Sequence, residues 1–351
     1  MHPQPRPPRV EALIRVLEDA APGDLGPAAL VQWPESSAAV GQAICKALAA
    51  RGVLAIAAYV PESVYRQPEI AVAAAGWVPA PSPALLDLIV LSGTRPWSES
   101  FDGDYRIEIQ AMENREALQA AGHRIVFIEW PRGARRDAEV DLNADAMAAV
   151  FERALDADLD TIRAWNARLH GHLEAAREVS LRCPAGTDLR LSVAGRRFIR
   201  EDCLLSAAEP VIYLPGGEIY APAVETSANG VVAFRHCGRR RFARFEAGLL
   251  CSVTDEAGAE DAELAEELGV GVEPLCELGF GTNPWAPPYQ IGALYEKSAG
   301  TAHVAVGGNA HFGGQRHSPR HADLIIRDPA VTVDGAPLEL PPPLWAKEPP
   351  L

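Results

Sequence analysis

Nowhere does the sequence approach the roughly 20 consecutive apolar residues that a membrane-spanning helix needs. Positive charge is also scarce. Against 47 Asp and Glu stand 32 Lys and Arg, and the net charge of -15 opposes broad contact with phosphate backbones or anionic lipid. The six cysteines (Cys45, Cys183, Cys203, Cys237, Cys251 and Cys276) are widely spaced and never form Cys-x-x-Cys, so neither a zinc knuckle nor a redox pair is spelled out. Free thiols in a reducing cytoplasm are the simplest reading. Gly-x-Gly-x-x-Gly and Gly-x-x-x-x-Gly-Lys-Ser/Thr are both missing, so no turn marks a nucleotide phosphate site. The first residues, MHPQPRPPRVEALIRVLEDA, break their apolar pattern with Arg15, Glu18 and Asp19 and offer no signal-peptide core. These absences leave a cytoplasmic protein with a small-molecule or peptide substrate, no nucleic acid partner and no membrane.

A hydrophobic content of 48% over 351 residues suffices for a sizeable core and two domains. SSAAVGQAICKALAARG (36–52) has a Ser cap, an apolar stripe through Val40, Ile44 and Leu48, and a closing Gly, which predicts a helix. VLAIAAYV (53–60), LLDLIVLSG (85–93) and HRIVFIEW (123–130) are continuous apolar runs of strand length, and a further helix is expected near 108–121. Such alternation predicts a Rossmann-like α/β domain over 1–155, built on a parallel sheet. The spacing of Leu155, Leu159, Ile162, Trp165, Leu169 and Leu173 predicts two consecutive helices over 144–177, with 156–178 as the connection.

After this the period changes to two. EVSLRC, DLRLSVAG, RRFIRED, VVAFRH and RRRFARFEAG read as strands, and GAEDAELAEELG (258–269) as a helix ending at Gly269. Residues 179–351 are therefore expected to form a β-rich α+β domain, the second of the two.

HFGGQRHSPRHAD (311–323) gathers three of the nine histidines in front of an apolar run. At strand spacing His321 and Asp323 share a face, so one cation can meet both. In TAHVAVGGN, His303 falls on the face opposite Val304 and Val306. Glu277 lies where an apolar stretch meets a Gly-rich turn, and Glu218 follows Pro-Gly-Gly. Singly, each residue has a plain reading: a surface ion pair, a hydrogen-bonded core histidine, or a solvated edge carboxylate. Together Glu218, Glu277, His303, His321 and Asp323 make an oxygen and nitrogen donor set for one or two divalent ions, of a kind suited to hydrolysis. His311 and His317 are expected in loops, from which either could touch a substrate.

Four blocks carry a resemblance: PAGTDLRLSVAGR (184–196), LPGGEIYAPAVETSANGVVAF (214–234), LGFGTNPWA (278–286) and YEKSAGTAHVAVGGNAHFGGQRHSPRHADLII (295–326). In content and order they resemble the M29 metallopeptidases, the aminopeptidase T and aminopeptidase S group. The resemblance implies two divalent ions, zinc, cobalt or manganese, held by Glu218, Glu277, His303, His321 and Asp323. Glu225 and Glu296 would be nearby carboxylates, one of them the general base, in a homodimeric enzyme that removes amino-terminal residues. Where those peptidases carry a tyrosine this chain has Ala310, so what that hydroxyl contributes would be absent or supplied by His311. The 2,5-dihydroxypyridine 5,6-dioxygenases of the same superfamily look similar too. They keep the His-x-Asp pair on a single Fe(II) but have histidine at the place of Glu277 and an apolar residue at that of His303, and they lack Glu218. A third reading is a non-catalytic relative that keeps the fold as a binding module.

Overall fold

The computed structural model describes residues 10–21, 25–34, 37–60, 82, 85–92, 115–130, 135–136, 141–142, 144–206, 209–289, 292–318 and 320–347. Its first layer is a five-stranded sheet. Strands β1 (Ala28–Pro34), β2 (Leu54–Val60), β3 (Leu85–Ser92) and β4 (Arg124–Trp130) pair in the order β4-β3-β1-β2, all parallel. Helix Ala38–Ala49 links β1 to β2, as its apolar stripe predicts. Of the helix expected near 108–121, Arg115–Ala120 is helical, and the residues before it lie outside the described ones. The helical stretch at 144–177 is the expected pair, Ala144–Leu155 and Leu159–Leu173, the second capped by Asp158. A two-stranded ladder, β5 (Arg135–Arg136) with β6 (Asp141–Leu142), precedes it.

The remaining strands form two antiparallel sheets. β7 (Glu178–Arg182), β8 (Asp188–Ser192), β12 (Asn229–His236), β13 (Arg239–Glu246), β14 (Leu249–Thr254), β18 (Ala330–Val333) and β19 (Ala336–Leu338) make the seven-stranded one. β9 (Ile199–Glu201), β11 (Glu218–Pro222), β15 (Leu275–Gly281), β16 (Thr301–Gly307) and β17 (His321–Arg327) make the other, in the order β17-β16-β15-β11-β9. Between β14 and β15 lies helix Ala262–Leu268, capped by Asp261 and ended by Gly269 at φ 74°. The fold class read from the sequence, an α/β part followed by a β-rich part, is the one observed.

Two features set the site's position. One is the division of faces in the five-stranded antiparallel sheet. Leu278, Phe280, Ala302, Val304, Val306, Leu324 and Ile326 point into a core shared with Val179, Leu181, Leu189 and Val232 of the seven-stranded sheet. With period two, Glu277, His303, His321 and Asp323 must then lie on the opposite face. The other is the strand β10 (Val211–Leu214), which pairs parallel with β4 as the fifth strand of the first sheet although it lies beyond residue 179. Cys203, Leu205, Ile212 and Leu214 are buried in the core of that sheet. Glu218 begins β11 four residues after β10 ends, so one short turn ties the first sheet to the site face.

Candidate metal centre

On the site face, ladder pairing decides which side chains meet. Glu277 of β15 and Asp323 of β17 both stand opposite Ala305 of β16, whose methyl group leaves the space between the two carboxylates open. His303 stands opposite Gly279, and its ring lies where a side chain at 279 would be: a Cβ there would be 2.1 Å from Nε2. A register shift between Leu275 and Glu277 leaves Cys276 as the extra residue of a bulge, a common device for re-aiming a side chain beside a site.

The five residues expected to converge do so as a continuous chain of donors. Glu218 Oε2 is 3.4 Å from His303 Nε2, which is 3.3 Å from Glu277 Oε1. The other oxygen of the same carboxylate, Glu277 Oε2, is 3.4 Å from His321 Nε2, itself 3.8 Å from Asp323 Oδ1. Glu218 and Glu277, which read equally well as solvated edge residues, are buried, and His303 is wholly enclosed. Two donors bound to one ion at about 2.1 Å with a tetrahedral angle lie about 3.4 Å apart, so these separations are those of shared coordination. One atom from each of Glu277, His321 and Asp323 lies within 4.8 Å of the other two.

Protonation and tautomer agree with this. Gly308 O is 3.3 Å from His321 Nδ1 and can only accept, so a hydrogen on Nδ1 would satisfy it and leave Nε2, which faces Glu277 and Asp323, to ligate a cation. Glu218 Oε2 and Asp323 Oδ1 are buried with no hydrogen-bond partner among the described residues. Burial, with the charges of Glu296 and Glu277, holds the Asp323 carboxyl well above the usual carboxylate range. Burial likewise raises Glu218 well above its ordinary value, against the pull of Lys297 and with the push of Glu201, Glu296 and Glu277. A buried cluster short of positive charge, with carboxylate oxygens left over, fits a divalent cation.

Glu296 lies on the segment before β16, half-buried, with Oε1 2.9 Å from Lys297 Nζ. Its burial would raise its pKa, but the Lys297 ammonium, a hydrogen bond with Asp323 and the charge of His303 outweigh that and lower it. Glu225, the other candidate base, faces elsewhere. It accepts from Arg196 Nη2 at 2.6 Å and from the Gln315 N–H at 2.7 Å, so it pins the loop that carries His311. A second carboxylate, Glu273, holds the same loop from the other side through Ser318 and Arg316. His311, on the short helix Ala310–Phe312, packs edge-on against Phe312 with its ring 6.1 Å from that of His321. Burial, then the neighbouring His321, push its pKa down to about 3, so it stays neutral at physiological pH. His317 is exposed, and Gly307 and Gly313 adopt positive φ, as turn positions.

The loop clamp gives a pH prediction. Although burial opposes it, the Gln315 N–H with further hydrogen bonds and Arg196 lower the folded-state pKa of Glu225 below its ordinary 4.5. Stability from this carboxylate is therefore fully present above about pH 4.5 and is lost as pH falls through the lower folded value. Glu225→Gln should cost about 1–3 kcal/mol in urea denaturation at pH 7, and the difference from wild type should shrink toward pH 3.

Sequence reasoning missed Lys297 and Glu201. Lys297 Nζ is 2.6 Å from Glu218 Oε1 and 2.9 Å from Glu201 Oε2, with its side chain almost wholly buried. Nothing local announces such a group, because its three carboxylate partners come from β9, β11 and its own neighbour.

No protein-family profile matches the sequence, and no curated protein matches it. Solved structures do. The 2,5-dihydroxypyridine dioxygenase from Pseudomonas putida KT2440 superposes with a TM-score of 0.61 at 18% identity, over 93% of this chain and 92% of that one. Both chains share one fold along nearly their whole length. Wild-type AmpT from Thermus thermophilus superposes with a TM-score of 0.58 at 19% identity, over 93% of this chain and 97% of that one. Among the described residues no helix is long and apolar enough to cross a membrane.

Proposed function

We propose that the chain is a metal-dependent hydrolase of the aminopeptidase T kind, acting on an amino-terminal peptide bond or a small amide as a homodimer. The observation that carries this reading is the Glu277 carboxylate, whose two oxygens face two different imidazoles, with Glu218 adding an unpartnered oxygen on one side and Asp323 on the other. With such a carboxylate between them, Glu218 and His303 would hold one ion, and His321 and Asp323 a second. Bound there, paired divalent ions would polarise a carbonyl oxygen and acidify a water.

The chain's own groups supply the rest. Glu296, kept ionised by Lys297, is the carboxylate placed to take a proton from water and hand it to the leaving amine. Glu225, held by Arg196, keeps the loop in place. His311 offers a neutral ring edge to a substrate where the peptidases have their tyrosine. Protein purified without chelators should contain at least one equivalent of zinc, cobalt or manganese and release the chromophore from amino-acid p-nitroanilides. Less than half an equivalent, with no activity gained on adding these ions, would sink the reading.

A second reading has its own support. Glu277, His321 and Asp323 by themselves suffice for one ion, and the dioxygenase shares the fold. It expects oxygen consumption with Fe(II) and a dihydroxypyridine, which a hydrolase would not give.

A further inference from the structure

Glu201 and Glu218 stand directly opposite each other on β9 and β11, on the same face of the sheet. Like charges at directly opposed positions repel, and both residues are largely buried, where the repulsion is least screened. Lys297 Nζ lies between them, within 2.9 Å of Glu201 Oε2 and 2.6 Å of Glu218 Oε1, and it reaches Glu296 Oε1 at 2.9 Å as well. The ammonium thus lies within ion-pair distance of three carboxylates, and its contact with Glu218 Oε1 is a hydrogen bond. The same ammonium lies 5.8 Å from the centroid of the Tyr213 ring, on β10 of the first sheet.

The partition of oxygens is what matters. Lys297 takes Oε1 of Glu218, and the oxygen left over, Oε2, is the one 3.4 Å from His303 Nε2. It also takes Oε1 of Glu296, a residue that hydrogen-bonds Asp323. We propose that Lys297 is the positioning residue of the centre: a fixed cation that turns one oxygen of Glu218 toward His303 and Glu277 and so sets the affinity of that half for its ion. This rests on the metal reading above. It adds that the half containing Glu218 depends on Lys297 directly, whereas Lys297 reaches His321 and Asp323 only through Glu296.

The charges are consistent. Glu201, Glu218, Glu277, Glu296 and Asp323 bring five carboxylates against the single ammonium of Lys297. Fully ionised, the cluster then carries four uncompensated negative charges, the number that two divalent ions neutralise. Without the lysine, Glu218 would swing away from Glu201, and the oxygen that faces His303 would no longer be fixed.

Calorimetric titration of the metal-stripped protein with zinc separates the two proposals. Uptake of less than half an equivalent by the wild type overturns both. If the wild type binds in two steps, the step that Glu218→Gln abolishes should weaken by about 10- to 100-fold in Lys297→Met, the usual cost of losing a partner behind a ligand. The other step, which Lys297 reaches only through Glu296 and its hydrogen bond to Asp323, should weaken less. Two unchanged steps would overturn the role of Lys297 and leave the metal centre standing.

Lys297→Met could fail to fold, because it leaves three carboxylates without their cation. The wild type then decides. With ¹⁵N-lysine labelling, the Nζ signal of Lys297, one of only three lysines in the chain, should shift more during the step that engages Glu218 than during the other. A signal indifferent to both steps would overturn the proposal.

Discussion

Glu277→Gln is expected to empty both halves of the centre at once. The Glu277 carboxylate faces both histidines, at 3.3 Å from His303 Nε2 and 3.4 Å from His321 Nε2. An amide presents one oxygen and one NH2 group, so one of the two faces would turn hydrogens toward a cation. Bound metal, measured by elemental analysis after dialysis, should fall below half an equivalent. Turnover should fall by about 1000-fold or more, because ions supply several kcal/mol of charge stabilisation and each 1.4 kcal/mol is about tenfold. The ion-free variant should be at least as stable as the ion-free wild type, since one of five crowded carboxylates has been neutralised. A variant that loses activity and unfolds more easily would point instead to Glu277 as a structural group.

Gly279→Ala should damage only the half that holds Glu218 and His303, by a different route. The new methyl group would lie 2.1 Å from His303 Nε2 and 2.2 Å from its Cε1, on the neighbouring strand of the ladder. His303 is wholly buried, so its ring can escape only by rotating away from Glu218 and Glu277 or by forcing β15 and β16 apart. Overpacking of this kind costs about 1–3 kcal/mol. Urea denaturation should record that loss, and metal titration should show the half with Glu218 weakened. Combining Gly279→Ala with His303→Ala should recover stability but not metal, because the methyl group then occupies space left by the imidazole. Simple addition of the two single losses would show that the methyl group and the ring never competed.

Much of this arrangement could be read from residue pattern. His321 and Asp323 were expected on one face of a strand because side chains alternate, and they lie on one face of β17. His303 was expected opposite Val304 and Val306, and both valines are in the shared core. The helix over 144–177 breaks in two as its leucine spacing suggested. Strand β10 was not legible, because VIYL is too short to show a period and its partner lies 86 residues earlier, as the pairing of Val211 with Ile125 shows. Lys297 was hidden for a similar reason: a lysine beside a glutamate reads as a surface pair until three strands and a loop are assembled. One clue was available. Only three of the 32 basic residues are lysines, and the other 29 are arginines, so a chain that so rarely uses an ammonium places one of its few at Lys297. Glu225 shows the opposite limit. The family resemblance offered it, with Glu296, as one of two carboxylates for the general base; the chain turns after β11 and delivers its carboxylate to Arg196 and the Gln315 N–H.

The placement of β10 bears on how the molecule can be taken apart. Because Val211–Leu214 completes the parallel sheet from within the later half, a cut near residue 179 would leave the earlier fragment with an unsatisfied edge along β4 and the later one with an orphaned apolar strand. Neither piece would be expected to stand alone, and the two halves should melt together in a single transition. Glu218 starts β11 four residues beyond that strand, so distant substitutions in the first sheet have a short covalent lever on the candidate site.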